Sequence, residues 1–191
     1  MRTEMIYVIV AVVGLALIYV VGTYNQLVRL RQQVRESWSG TDTELRRRYD
    51  LIPNLVSTVG GYADHERRTL EWVIEARNRA VASTGSPQSQ ARDENVLIGA
   101  LRQLFAVVEG YPQLKANQNF LALQTELANT EDRIQAARRF YNANVRDLNT
   151  RIEVFPSNAV AGLFKFAHEE FFEIEDVAVR RPVEVSFAPR A

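Results

Sequence analysis

Residues 5–24 read MIYVIVAVVGLALIYVVGTY, about twenty positions without a charge. As a helix rising about 1.5 Å per residue, this stretch covers roughly 30 Å, the depth of a bilayer's hydrocarbon core. A secretory signal peptide would carry a basic leader, a shorter apolar core and a small-x-small cleavage site. Here Arg2 is balanced by Glu4, and the run closes in Tyr19-Val20-Val21-Gly22-Thr23-Tyr24 with no A-x-A pattern. The core helix of a soluble domain would keep a polar face, whereas this one is apolar all round. The segment is expected to cross a membrane, with Tyr7 near one interface and Tyr19 and Tyr24 near the other.

Basic residues crowd one flank. Arg29, Arg31 and Arg35 follow the span, then Arg46, Arg47 and Arg48, while the other flank has only Arg2 and the chain amine. The positive-inside bias predicts residues 1–4 outside and the rest in the cytoplasm, held at the cytoplasmic (inner) membrane by a single pass. Gly14 and Gly22 are not spaced as G-x-x-x-G, so pairing through the span is only weakly indicated. No Cys near the N-terminus offers a site for a lipid anchor.

Beyond the anchor, about 165 residues suit one ordinary domain. The 23 basic and 23 acidic residues cancel, which argues against nucleic acid as the main partner. Arg outnumbers Lys 21 to 2, a bias that genomic composition explains more readily than forked ion pairs do. With no cysteine, disulfides, thiolate nucleophiles and Cys-based metal sites are all excluded.

From Tyr24 the polarity changes but the helical period continues. Leu27, Leu30, Val34, Trp38, Thr41, Leu45, Tyr49, Ile52, Val56 and Val59 recur at steps of three and four, the stripe of a bundle helix. Span and first bundle helix are therefore expected to form one rod, kinked near Tyr49–Pro53 and ended by Gly60-Gly61. Asp64 reads as the N-cap of a second helix, 65–82, with Leu70, Val73, Ile74, Ala80 and Val81 inward. Residues 83–89, STGSPQS, read as a loop. A third helix is expected over 91–109, with Val96, Ala100, Leu101, Leu104, Val107 and Val108 inward, and Gly110-Tyr111-Pro112 stops it.

The fourth helix carries a stripe of about 33 residues from Phe120 through Leu127, Ile134, Tyr141 and Val145 to Ile152, close to a coiled-coil seam. Asn142, Asn144 and Asn149 on it are expected to hydrogen-bond across the bundle and fix its register. Four such helices with short turns make an all-α, antiparallel four-helix bundle over 25–155. Residues 156–191 form a short irregular tail, beginning with an amphipathic piece at 159–167. Its loose alternation (Val179, Val183, Val185, Phe187) is too short for a sheet, so the tail is expected to lie along the bundle.

Several runs together resemble the LemA family of bacterial membrane-anchored helical proteins. They include Tyr24-Asn25-Gln26-Leu27-Val28, Arg47-Arg48-Tyr49-Asp50-Leu51-Ile52-Pro53-Asn54-Leu55-Val56 and Gly61-Tyr62-Ala63 with His65-Glu66. Glu109-Gly110-Tyr111-Pro112-Gln113-Leu114-Lys115-Ala116, Tyr141-Asn142 and Phe155-Pro156-Ser157-Asn158 continue the likeness, which covers residues 19–187. The resemblance implies a short outside N-terminus, one span and a four-helix bundle. It brings no active site with it.

The residues themselves offer little chemistry. Di-iron bundles need a Glu three residues before each of two histidines, but Tyr62 precedes His65 and Lys165 precedes His168. His65-Glu66 is followed by Arg67-Arg68-Thr69, so H-E-x-x-H is absent, and so are G-x-G-x-x-G and G-x-x-x-x-G-K-[ST]. The one suggestive cluster is Arg47, Arg48, Asp50 and Asn54 beside Pro53, which could bind an anionic headgroup or a partner segment. The blander and favoured account has Asp50 pair with an arginine and satisfy backbone groups that Pro53 frees. The acidic run 169–176 reads as a solvated edge with Phe171 and Phe172 packed inward.

The chain thus reads as a single-pass, membrane-anchored scaffold or interaction protein without catalytic activity, metal or cofactor. Its partners are the bilayer and other proteins, or a second copy of itself, with no nucleic acid and no evident small-molecule substrate. An accessory subunit or signalling stalk for a membrane enzyme or protease, or a small-ligand-binding bundle, are the alternatives.

Overall fold

In the computed structural model, which describes residues 1–174 except the side chain of Asp64, one α-helix, α1, runs from Arg2 to Gly60. At 59 residues it is about 88 Å long. The apolar stretch and the first bundle helix are one rod, as the unbroken period predicts, and α1 passes through Pro53 without interruption. Residues 2–22 of it are exposed but for partial cover at Gly14 and Val20, and this is the one described helix long and apolar enough to cross a membrane. Burial begins at Thr23 and recurs at Leu27, Val34, Ser37, Thr41, Leu45, Arg48, Tyr49, Ile52, Leu55 and Val59. The seam differs from expectation near its end, where Leu55 rather than Val56 points inward, because the stripe takes a three-residue step there.

Gly60-Gly61 ends α1, although Gly61 keeps a right-handed φ of −65° rather than the left-handed cap glycine usually supplies. The amides of Tyr62 and Ala63 both reach back to the Val59 carbonyl, at 3.0 Å each. A 3₁₀ turn, Asp64–Glu66, then leads into α2, Arg67–Ala82; the capping expected of the Asp64 side chain lies outside the described residues. Small residues let α2 approach its neighbours closely: Val73, Ala76 and Ala80 are buried, while Leu70 and Ile74 cover the seam and Val81 is exposed.

The loop after α2 is shorter than its composition indicates. Ser86 caps α3, accepting from the Ser89 amide at 3.4 Å, and Pro87 takes the first helical position, so α3 spans Pro87–Val108. After a single turn, α4 (Pro112–Lys115), Asn117 caps α5 by accepting from the Phe120 amide at 3.1 Å. The helix α5 runs from Gln118 to Glu153, and its predicted seam is borne out from Phe120 to Ile152.

Unequal lengths divide the molecule. With 16 and 22 residues, α2 and α3 are about 24 and 33 Å long, against about 54 Å for the 36 residues of α5. Four helices therefore pack together only over the half of the bundle far from the apolar end of α1. Nearer that end, α1 and α5 continue as an antiparallel pair, with Trp38 against Tyr141 at a ring separation of 5.1 Å.

The third layer of this stalk is the C-terminal chain. Helix α6, Ser157–Leu163, packs on α5 and on the part of α1 around Tyr24. It closes in a Schellman arrangement, with the Phe166 amide bonded to the Ala161 carbonyl and the Lys165 amide to that of Gly162. Lys165 takes the left-handed position at φ 55°, where glycine is usual. The chain then climbs back along α5 in extended form. Asn149 and Asn142 each hold it with a two-point amide clasp: Nδ2 donates to the carbonyl, and Oδ1 accepts from the amide, of Glu169 and of Phe172 respectively, at 2.9–3.0 Å. Tyr141 Oη donates to the Glu170 carbonyl and Arg138 to that of Ile174.

These asparagines were expected to bridge helices. Asn142 and Asn149 bridge a helix to the tail instead, because an extended chain offers unpaired amide and carbonyl groups that a neighbouring helix does not, while the buried Nδ2 of Asn144 meets no hydrogen-bond partner among the described residues. Of the two aromatics in the acidic run only Phe172 is inward, edge-on to Trp38 at 5.3 Å. The alternation at Val179, Val183, Val185 and Phe187 lies outside the described residues.

Replacing Asn142 and Asn149 together by Leu leaves both pairs of backbone groups without partners. A loss of about 2–4 kcal/mol in stability is expected, and hydrogen–deuterium exchange at residues 169–172 should accelerate well before exchange in α1 and α5 changes.

Candidate functional site

Where the four helices cross, the seam of α1 is interrupted by Arg48, a cation only 2% exposed. Leu45 and Ile52, one turn to either side of it, are fully buried. Its guanidinium is shared between two carboxylates. One Nη meets Glu94 of α3, which is fully buried, and the other meets Glu131 of α5 at 2.8 Å. The neighbouring Tyr49 donates its hydroxyl to the second oxygen of Glu94. From Glu131 the network continues outward: Gln135 donates to it at 3.1 Å, and Arg138 donates to Gln135 at 2.6 Å while holding the tail at Ile174.

Electrostatics follow from burial. Removal from water pushes the Glu94 carboxyl above its ordinary range, a shift that Arg48 and the Tyr49 hydroxyl oppose and Glu131 reinforces. One guanidinium cannot neutralise two carboxylates. Tyr49 is likewise held in its neutral form, by burial first and by the adjacent Glu94 charge second. Glu94 and Tyr49 are thus turned inward on Arg48 and on each other, and of the two carboxylates only Glu131, 39% exposed, reaches solvent.

The fourth helix joins at the same level through the backbone. Pro53 has no amide to give the Tyr49 carbonyl, four residues before it. Arg77 of α2 supplies the missing donor, its Nε lying 3.2 Å from that oxygen. The role expected of Asp50 belongs to Arg77, which only the fold brings to α1.

Of the four residues singled out beside Pro53, the structure buries Arg48 alone. Arg47, Asp50 and Asn54 lie on the exposed face of α1 and do not converge with it. Glu94 is the partner that the residue pattern missed. Its signal was register: Ala91, Glu94, Leu97, Leu101 and Leu104 follow helical steps, and Glu94 occupies a core position in that series. His65 lies in the turn at the far end of the bundle, and His168 pairs with Glu153 at 3.0 Å at the other end.

Two grooves flank this layer. Between α3 and α5 lies a groove of about 530 Å³ walled by Ile98, Leu101, Phe105 and Leu127, with Arg48 and Glu131 lining it. A second, of about 630 Å³, lies between α1 and α5 over Ser37, Gly40, Ala136 and Ala137, with Phe140 at its edge.

Truncating one member of a buried ion pair strands the other. Arg48→Met or Glu94→Leu alone is expected to cost about 3–5 kcal/mol of stability, and the double variant to recover most of it, as a denaturation double-mutant cycle would read. Arg77→Met should cost about 1–2 kcal/mol in the natural chain and clearly less with Pro53→Ala, which restores the amide that serves the Tyr49 carbonyl.

The LemA family pattern matches residues 37–187. Protein LemA of Metamycoplasma hominis is 29% identical over 174 residues, covering 87% of this chain and 78% of that protein. Magnetosome protein MamQ 2 of Paramagnetospirillum magneticum is 27% identical over 175 residues, and magnetosome protein MamQ of Magnetospirillum gryphiswaldense 25% over 174. Each of these two matches covers 78% of this chain but 64% of the MamQ protein, so the chain spans under two thirds of those relatives' length. With the pattern matched across most of its length and the helical architecture in place, the chain belongs to the LemA family.

Proposed function

We propose that this protein is a single-pass, membrane-anchored scaffold whose bundle holds other envelope proteins or further copies of itself and catalyses no reaction. The observation that carries the reading is the 59-residue α1, in which an apolar segment of spanning length continues without a break into the bundle seam. A rigid anchor of this kind suits holding and spacing. The most concentrated polar chemistry in the described residues supports it too, because Arg48, Glu94 and Tyr49 are spent on one another inside the bundle. Relatives named as LemA and as magnetosome proteins, rather than as enzymes, agree with it. The excess of arginine after residue 24 supports an orientation with the bundle in the cytoplasm. The exposed Arg47, Asp50 and Asn54 beside the proline would then serve as a polar contact for a partner.

The groove between α3 and α5 supports a second reading, a bundle that binds a small apolar ligand beside Arg48 and Glu131. Photocrosslinking in intact cells separates the two. A photoreactive residue at Trp72 or Phe140, both exposed, is expected to give a discrete adduct with one protein or with a second copy. The scaffold reading fails if both positions give only lipid and scattered abundant proteins, and a ligand that co-purifies with the chain and shields Phe105 would replace it.

A further inference from the structure

The bundle carries a second apolar surface, at its base. Phe155, in the turn after α5, is 84% exposed, and Leu163, the last residue of α6, is 71% exposed. Val154 and Phe164 beside them are also exposed. Singly exposed apolar side chains are ordinary, but four large ones gathered in one turn and one short helix are not.

Register places this surface. Trp38 packs on Tyr141, and ten residues further along α1 Arg48 meets Glu131, ten residues earlier on α5. The two helices thus run antiparallel in a constant register. Fourteen residues in the other direction carry α1 from Trp38 to Tyr24 and the chain from Tyr141 to Phe155. Phe155 therefore stands level with Tyr24, the last residue of the apolar stretch. Ring contacts agree independently, since Tyr24 packs on Phe164 at 4.7 Å and on Phe166 at 5.9 Å. Thr23, inside the apolar stretch, is only 3% exposed.

Charge at this level has the pattern of a headgroup layer. Arg31 lies over the Phe166 ring at 5.1 Å, and Lys165 is exposed at the left-handed position that closes α6. Glu153 is the acidic group nearest Phe155 in sequence and is paired with His168. Aromatic and aliphatic residues at the end of a span, rimmed by Arg and Lys, are the composition of an interfacial anchor.

We propose that the turn 154–156 and helix α6 form a second membrane contact, dipping Phe155, Leu163 and Phe164 into the bilayer interface beside the span. This rests on α1 crossing the membrane, and the test separates the two. The chain has no cysteine, so single nitroxide labels at Val12→Cys, Phe155→Cys, Leu163→Cys and Phe140→Cys report one site each. The full-length protein is reconstituted in vesicles of phosphatidylcholine and phosphatidylglycerol. Collision rates with oxygen, which concentrates in hydrocarbon, are compared with those of a water-soluble nickel chelate.

Position 12 is expected to favour oxygen about tenfold, positions 155 and 163 to favour it severalfold, and position 140 to favour nickel. If 155 and 163 behave like 140 while 12 stays in lipid, the span stands and the second contact is wrong. If 12 itself favours nickel, the anchoring reading falls and this one with it. Dipolar broadening at 155 without preference for oxygen would assign the surface to a second copy of the chain and overturn the proposal.

Discussion

A single guanidinium, that of Arg48, is the constraint on which the arrangement of the helices depends. It stands on α1, yet its two partners belong to α3 and α5, and the Tyr49 carbonyl next to it takes a donor from α2. Placing this cation in the core costs desolvation energy that the paired carboxylates only partly offset, so the cluster adds little net stability. What it adds is discrimination. Sliding α3 by one turn would leave Glu94 charged among leucines and Arg48 half-paired, a penalty far larger than an apolar seam alone would impose. Leu, Ile and Val can interdigitate in several registers, whereas a forked cation between two carboxylates has one.

Helices α3 and α5 meet through Phe105 and Phe120, and beside that contact a groove of about 530 Å³, lined by Arg48 and Glu131, remains between them. Away from this layer the molecule is thinner. The α1/α5 pair has no α2 or α3 to cover it near the apolar end, and the extended chain 166–174 takes their place. That chain has no secondary structure to satisfy its amides, so the helix beneath must do so with side chains. Asparagine is suited to the task, offering a donor and an acceptor in one plane at the spacing of a peptide group.

Much of this was legible in the residues. The seams of α1 and α5 are nearly pure periodicity, and periodicity survives any tertiary context that keeps the helix half-buried. The apolar run, the turn at Gly110-Tyr111-Pro112 and the family likeness were equally plain. What escaped detection depends on partners distant in sequence. Glu94 looks like a surface residue until its place in the Ala91–Leu104 series is matched to Arg48, 46 positions earlier. Arg77 meets the Tyr49 carbonyl only because α2 folds back on α1, so Asp50, the nearest acid, was the natural and mistaken choice. Pro87 reads as a loop breaker in STGSPQS, yet its fixed φ fits the first turn of a helix once Ser86 caps it. Local chemistry names the elements; the pairing of polar groups across them follows from topology.

Topology also sets where the buried layer stands. From Tyr24 to Arg48 is 24 residues, so the four-helix crossing lies about 36 Å beyond the apolar end of α1. Between the two there is no hinge: α1 is continuous, α5 runs beside it, and the tail is clasped to both through Asn142, Asn149 and Phe172. A rotation or tilt imposed at one end must therefore travel as rigid-body motion of the pair, since packed seams do not deform continuously. The network Arg48–Glu131–Gln135–Arg138 runs along the same α5 face and ends on the Ile174 carbonyl, tying the position of the tail to the ion-pair layer. The stalk and the crossing are in this sense one mechanical unit, and a partner bound on the far half would be held at a set height and orientation relative to the apolar end.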